Sequence, residues 1–448
     1  MNKTILSARL RIILLFTMVT LFFGCNKIEW GDLFDHPKET GSEAMKEKAD
    51  IAMDWYKMQL SIILNNPSAT PNPNRSFGFT GISLYESVRM GIPNSVSLSK
   101  RLNQMPDMPS PEKNKDYSVL AAANASLASI TRSLFSGLNA ANHISIDSLE
   151  TAYNNRLKST LPSSVFERSQ IFGRSIASAV FEWSKSDKFD LANAPYTPPI
   201  FPGAWQATPP AFANAVLPYA SNCRPFLESH ASGFGAAFPF EYSEATTSAF
   251  YKIVREVYDV SKSLTTDQRN IALFWNDVGL GRGYSPPGHE ISVINQIIAL
   301  EKINLGLAAQ AYAKAGMAQW DGQIMCWRAK YKYNLVRPVT YIQKVIEPGW
   351  LPLIPTPPHP EYPAAHAYIT AATMAAVGLV IGDSHTFTDH TYDFLGYPSR
   401  SFTSIADVGK EAGISRLYGG IHYRISINTG LEAGKAVGTA IGKISLNK

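Results

Sequence analysis

Three features of the sequence predict an all-α fold. From about residue 45 onward, apolar residues recur at three- and four-residue spacing, the period of a helix face. Alternating β-rich runs are few, and short loops separate most of the periodic segments. The chain is 45% hydrophobic and 11% aromatic but only 17% charged, below the roughly 25% usual in soluble domains, so much of its 448 residues lies inside a core. This composition excludes disordered, collagenous and disulfide-stapled classes. Net charge is +5, but Lys3, Arg9 and Arg11 sit in residues 1–24, which carry no acid, leaving 38 basic against 36 acidic side chains. That near-balance gives no support for a nucleic-acid partner.

Residues 1–24 read as a signal peptide, with a basic start followed by the apolar run Ile12–Phe23. That run is shorter than the roughly 20 residues a membrane span needs. Leu21-Phe22-Phe23-Gly24-Cys25 resembles a bacterial lipoprotein signal, which predicts export and a lipid on Cys25 as the only membrane attachment. Residues 25–44 read as a tether. Helices are then expected at 45–65, 77–90, 115–137, 145–160 and 163–187, forming with a Pro- and aromatic-rich loop an N-terminal half over 45–240. The C-terminal half, 241–448, is expected to hold helices at 243–261, 265–277, 288–316, 320–335, 364–382, 404–420 and 428–444. The loops at 188–240 and 346–363 are long enough to suggest function, and their aromatic content argues against disorder. Cys223 and Cys326 form no disulfide framework and are expected as buried small apolar residues.

Three segments of the C-terminal half carry the chemistry. Lys330 and Arg337 lie seven residues apart, two helical turns, so they are expected to project from one face, and Pro338 should end the helix at Arg337 and let that side chain lean toward a loop. His359-Pro-Glu361-Tyr-Pro363-Ala364-Ala365-His366 places His366 at a helix start, beside unpaired backbone N–H groups. In Ser415-Arg416-Leu-Tyr-Gly-Gly-Ile-His422, the glycines at 419 and 420 would let a ligand or another backbone come close. Singly, these read better as a solvated basic face or as core or capping histidines. Together, Lys330, Arg337, Arg416, His366 and His422 can surround one tetrahedral oxyanion, with guanidinium forks suited to its paired oxygens. Arg424 reads as a surface charge.

In this order, K-x6-R-P, P-x-x-H and S-R-x5-H resemble the superfamily of vanadium-dependent haloperoxidases and type-2 phosphatidic acid phosphatases. The upstream Trp275-Asn-Asp277 and Ser285-Pro-Pro-Gly-His289 resemble its soluble haloperoxidase branch. The resemblance implies an all-helical double bundle. It also implies that Lys330, Arg337 and Arg416, with the 364–365 backbone, bind the equatorial oxygens of vanadate or phosphate. His422 would be the apical vanadium ligand or phosphorylated nucleophile, His366 the acid–base histidine, and Asp277 the acid orienting His366.

The implied activity is vanadate-dependent oxidation of halide by peroxide. The alternatives are a periplasmic acid phosphatase acting on phosphate esters through His422, and a lipoprotein that binds an oxyanion without catalysis. Two departures bear on that choice. Ala364 replaces the serine of the family's P-S-G-H, and Ala365 its glycine. At 426, four residues beyond His422, Ser426 stands where the family usually carries an acid. Ser426 is expected to accept a hydrogen bond from the imidazole, without the charge that would stabilise imidazolium. Asp321 and His289 could be supporting partners of the site or structural residues.

Overall fold

A computed structural model describes residues 42–233, 235, 237–277 and 283–448, and residues 41–448 form one compact unit. The expected signal peptide, Cys25 and nearly all of the expected tether lie outside the described residues. The first helix, α1 (Glu43–Lys46), already buries Ala44, so core begins before residue 45.

The helices that follow are α2 (Asp50–Asn65), α3 (Pro73–Val88), α4 (Val119–Leu134), α5 (Ala140–Lys158) and α6 (Ser163–Ser184). After the long loop come α7 (Ala249–Lys262), α8 (Thr266–Phe274), α9 (Pro286–Leu300), α10 (Leu305–Tyr333), α11 (Pro338–Val345), α12 (Ala365–Ile381), α13 (Ile405–Tyr418) and α14 (Arg424–Gly442). Side-chain caps set several starts, such as Ser118 accepting from the Ala121 amide and Asn304 from the Leu307 amide. Among the described residues no helix is long and apolar enough to cross a membrane.

Most expected helices are found, with ends that move by less than two turns, but the 288–316 and 320–335 pair is wrong. The chain breaks at 301–304 instead, where Lys302 is left-handed and Asn304 caps a new helix. It then runs unbroken to Tyr333. Gly316 is no helix break: a Cβ there would meet the Phe77 carbonyl oxygen at 2.3 Å, so the residue lets α3 lie directly on α10. Helix α11 was not expected, nor was the antiparallel pair β1 (Phe387–Asp389) and β2 (Arg400–Phe402), which aligns Phe387 with Phe402.

Helix α10 is the axis of the molecule, packing on α3 and on α12. Helix α12 in turn packs against α14 along a glycine seam, where a Cβ on Gly434 or Gly438 would meet the carbonyl oxygens of Tyr368 or Ala372 at 2.0 and 1.9 Å. The 188–240 loop lacks long helices yet is tied down. The Trp205 amide donates to the Asn334 carbonyl, and Val216 accepts from Trp327 and Tyr331. Trp205 is itself core. Arg328 donates to the carbonyls of Ser221, His230 and Gly233, and Asp321 takes the Phe226 and Leu227 amides and His230, so Asp321 anchors the loop. Cys223 and Cys326 are buried and free, their thiols pushed up to about 12 chiefly by burial.

Candidate active site

The first motif straddles a turn. Helix α10 stops at Tyr333 because Asn334 is left-handed (φ 48°), and Arg337 sits extended just ahead of Pro338, the first residue of α11. Lys330 and Arg337 therefore meet across a helix–turn–helix corner; the expected single face, continuous to Arg337, is not formed. Both are fully buried. Lys330 Nζ donates to the carbonyls of Pro360, Glu361 and Pro363 at 2.9, 3.0 and 2.6 Å. Arg337 donates to the carbonyls of His359, Ile421 and Pro357, and its Nη2 reaches His359 Nδ1 at 3.0 Å. These bonds wrap the proline-rich 357–363 segment around both cations.

His422 follows the turn after α13. Its Nε2 lies 3.1 Å from Arg337 Nη1, and its Nδ1 lies 2.8 Å from Glu361 Oε1. A guanidinium can only donate, so Nε2 holds the lone pair and Nδ1 the proton. Glu361 also takes the Tyr423 amide at 2.8 Å and the Ser426 hydroxyl at 2.6 Å. Ser426 thus donates to Glu361 and does not accept from His422, correcting the expectation. Glu361 was not foreseen as a partner of His422, although it lies in the middle of the quoted His359–His366 segment.

His366 is the second residue of α12, and its Nε2 lies 3.3 Å from Asp277 Oδ2. Asp277 and His366 thus lie at ion-pair distance. Asp277 Oδ1 accepts from Tyr392 at 2.6 Å and pairs with His289 Nδ1 at 2.8 Å, and His289 Nε2 reaches Asp389 Oδ2 at 2.8 Å. Burial opposes these charges, but the two carboxylates outweigh it and push His289 up to about 10. His289 in return helps hold Asp277 below the usual carboxylate range. Trp275 stacks on His289 at 4.2 Å, and its carbonyl accepts from Arg416 Nη2. Asp389 and Tyr392 came from the unforeseen hairpin region, so sequence gave no signal for them.

Arg416 also donates from Nε to Ser415 Oγ at 3.0 Å. Its Nη1 has no hydrogen-bond partner, and His366 Nε2 and Asp277 Oδ2 meet each other only at ion-pair distance, although all are buried. Of the two alanines, Ala364 gives its amide to the Ser426 carbonyl at 3.1 Å, which removes that N–H from the donors free for a ligand. Ala365 opens α12 and remains slightly exposed.

Burial lowers Lys330 to about 7 and Arg337 and Arg416 to about 10. Burial, then Arg416, pulls His366 down to about 4. Burial, Arg337 and Lys330 hold His422 well below 6.5, with Arg416 contributing, so Arg416 acts on both histidines. Burial pushes Glu361 up to about 7. Three buried cations, one guanidinium nitrogen without an acceptor and a neutral imidazole lone pair are what a multiply charged oxyanion would satisfy. By that test these residues fit vanadate or phosphate. A cavity of about 800 Å³ bordered by Asn103, Lys188, Tyr219, Cys223 and Arg224 includes none of them. Arg424, as expected, is a half-exposed partner of Glu256.

Residues 310–446 match the family model described as the VCPO second helical-bundle domain. The structure resembles that of a bacterial vanadium-dependent iodoperoxidase, with 30% sequence identity and a TM-score of 0.81 over 89% of this chain and 97% of that one. A bacterial vanadium-dependent chloroperoxidase in its holo form gives 16% identity and a TM-score of 0.64, over 86% of this chain and 95% of that one. Its apo form gives 16% and 0.63, over 84% and 96%. No curated protein matches in sequence.

Proposed function

Because the chain belongs to the vanadium-dependent haloperoxidase family, we propose that it oxidises halide with hydrogen peroxide, using vanadate held at Lys330, Arg337, Arg416 and His422. The observation that carries this reading is the buried cation cluster, with Arg416 Nη1 unpartnered and the His422 Nε2 lone pair turned toward Arg337. Bound there, vanadate supplies a Lewis acid that activates peroxide. The rest falls to the chain. Lys330 and Arg337 are preset by carbonyl acceptors, so their charge needs little reorganisation to meet an anion. Glu361 keeps His422 in the tautomer whose Nε2 can ligate. His366, neutral and backed by Asp277, can take a proton from a bound reactant and return it.

The experiment is iodide- and bromide-dependent oxidation of a phenolic dye with peroxide and orthovanadate, iodide first because the 30%-identical relative is named an iodoperoxidase. Turnover that depends on vanadate and is lost in His422→Ala is expected; none above the apoprotein would sink the reading.

The second reading, a phosphatase with His422 as nucleophile, gains from Glu361, which supplies the negative charge Ser426 lacks. It predicts hydrolysis of p-nitrophenyl phosphate that orthovanadate inhibits and His422→Ala abolishes. Oxyanion affinity with neither turnover would mark a binding protein. Export and lipidation at Cys25 belong to the same proposal and rest on the Leu21–Cys25 sequence. Incorporation of labelled palmitate that Cys25→Ala fails to abolish would refute them.

A further inference from the structure

We propose that Glu361 is the positioning carboxylate of His422, an acid moved from position 426 on α14 to the segment ahead of α12, with Ser426 converted into its hydrogen-bond donor. The inference rests on the reading of this pocket as an oxyanion site, and deepens it.

The geometry is specific. Glu361 accepts three hydrogen bonds, and each fixes a different part of the site. The His422 Nδ1–H at 2.8 Å sets the imidazole plane and tautomer. The Tyr423 amide at 2.8 Å ties the carboxylate to the next residue's backbone. The Ser426 hydroxyl at 2.6 Å holds the second oxygen. The Glu361 backbone is anchored as well, since its amide donates to the Leu335 carbonyl and its main-chain carbonyl accepts from Lys330. No other carboxylate among the described residues bonds His422.

Every other charged group facing the ring is cationic or becomes so on protonation: Arg337, Lys330, His359 and Arg416. Left to these, the Nδ1–H would have no acceptor, and only the Arg337 donation to Nε2 would favour that tautomer. Glu361 gives the Nδ1–H its acceptor. Because Ser426 Oγ lies 2.6 Å from Glu361 Oε2, a carboxylate built at either position falls in the same small volume. That volume accommodates one acid. Two would repel at this distance, and none would leave Nδ1–H and the Tyr423 amide without an acceptor.

The test is a four-member set: the parent chain, Glu361→Gln, Ser426→Asp and the double variant Glu361→Ala/Ser426→Asp. Two readouts are taken on full-length protein. The first is affinity for inorganic orthovanadate by calorimetry. The second is the His422 tautomer in the apoprotein, from the ring ¹⁵N shifts of histidine-labelled samples assigned with His422→Ala. Glu361→Gln is expected to weaken orthovanadate about tenfold to a hundredfold and to lose the pure Nδ1–H signature. Ser426→Asp alone, with two acids in one volume, should also bind more weakly. The double variant should recover most of the lost affinity and the Nδ1–H signature, a sign reversal that no purely structural role of Glu361 produces. Unchanged tautomer in Glu361→Gln, or no recovery in the double variant, overturns the proposal. The tautomer is read without any oxyanion. If the parent fails to bind orthovanadate, the functional reading falls, while the assignment of Glu361 is still decided by the spectra.

Discussion

Asp277 Oδ2 and His366 Nε2 face each other across 3.3 Å, with the carboxylate fixed from behind by Tyr392 and His289. The acid is oriented before any reactant arrives, and its one free oxygen points at the imidazole. Asp277→Asn keeps the shape and removes the charge. It should lower kcat by roughly 10²-fold, the usual scale of general acid–base assistance, while orthovanadate affinity stays close to that of the parent. Equal losses in kcat and in affinity would place Asp277 in binding instead.

The two arginines differ in what they do without an anion. Arg337 fills its donors with the Pro357, His359 and Ile421 carbonyls and two imidazoles, whereas Arg416 keeps Nη1 unpaired. Arg337→Met strips several buried carbonyls of their donor, at about 1–3 kcal/mol for each group left unsatisfied, so the apoprotein should melt earlier. Arg416→Met removes a buried charge that lacks a full set of partners, so apoprotein stability should hold or rise. Both should lose orthovanadate. Thermal melts of the two variants with and without orthovanadate decide this; equal destabilisation of both apoproteins would contradict it.

Much of this was legible because local rules set it. Pro338 as a stop for the helix before it, the apolar period of α12 and the basic residues at 330, 337 and 416 are written in short stretches of chain. What escaped depended on long-range placement. Gly316 resembles a helix break until α3 is laid against it. Ser426 resembles a lost acid until Glu361, 65 residues earlier, is seen to accept its hydroxyl. Asp389 reaches His289 from a hairpin whose three-residue strands are too short to carry a period.

Ala364 is the N-cap residue of α12 and gives it no side-chain cap, and its amide is held by the Ser426 carbonyl. Ala364→Ser places a hydroxyl at this fully buried position. In the apoprotein it can cap the first turn, worth about 0.5–2 kcal/mol; with orthovanadate present it can donate to an oxygen. Both the melting temperature and the orthovanadate affinity should rise. A gain in melting temperature alone would put the new hydroxyl on the helix end and outside the anion's reach.

His289 provides the pH test. Held between Asp277 and Asp389, it is raised from 6.5 to about 10. A raised histidine binds more protons in the folded than in the unfolded chain. Its contribution is therefore complete below 6.5 and is lost as pH climbs through about 10. Lys314 and Lys330, lowered to about 8 and about 7 by burial, run the other way, since their penalty is relieved as pH rises toward 10.5. Those two slopes are common to the parent and to His289→Gln, so the difference between the proteins isolates the histidine. Urea midpoints taken between about pH 6 and about pH 10 should show the parent far ahead at the acid end and the gap narrowing steadily with pH. A gap that stays constant across that window would mean that His289 is folded in its neutral form, and that Asp277 keeps its charge by some other contact.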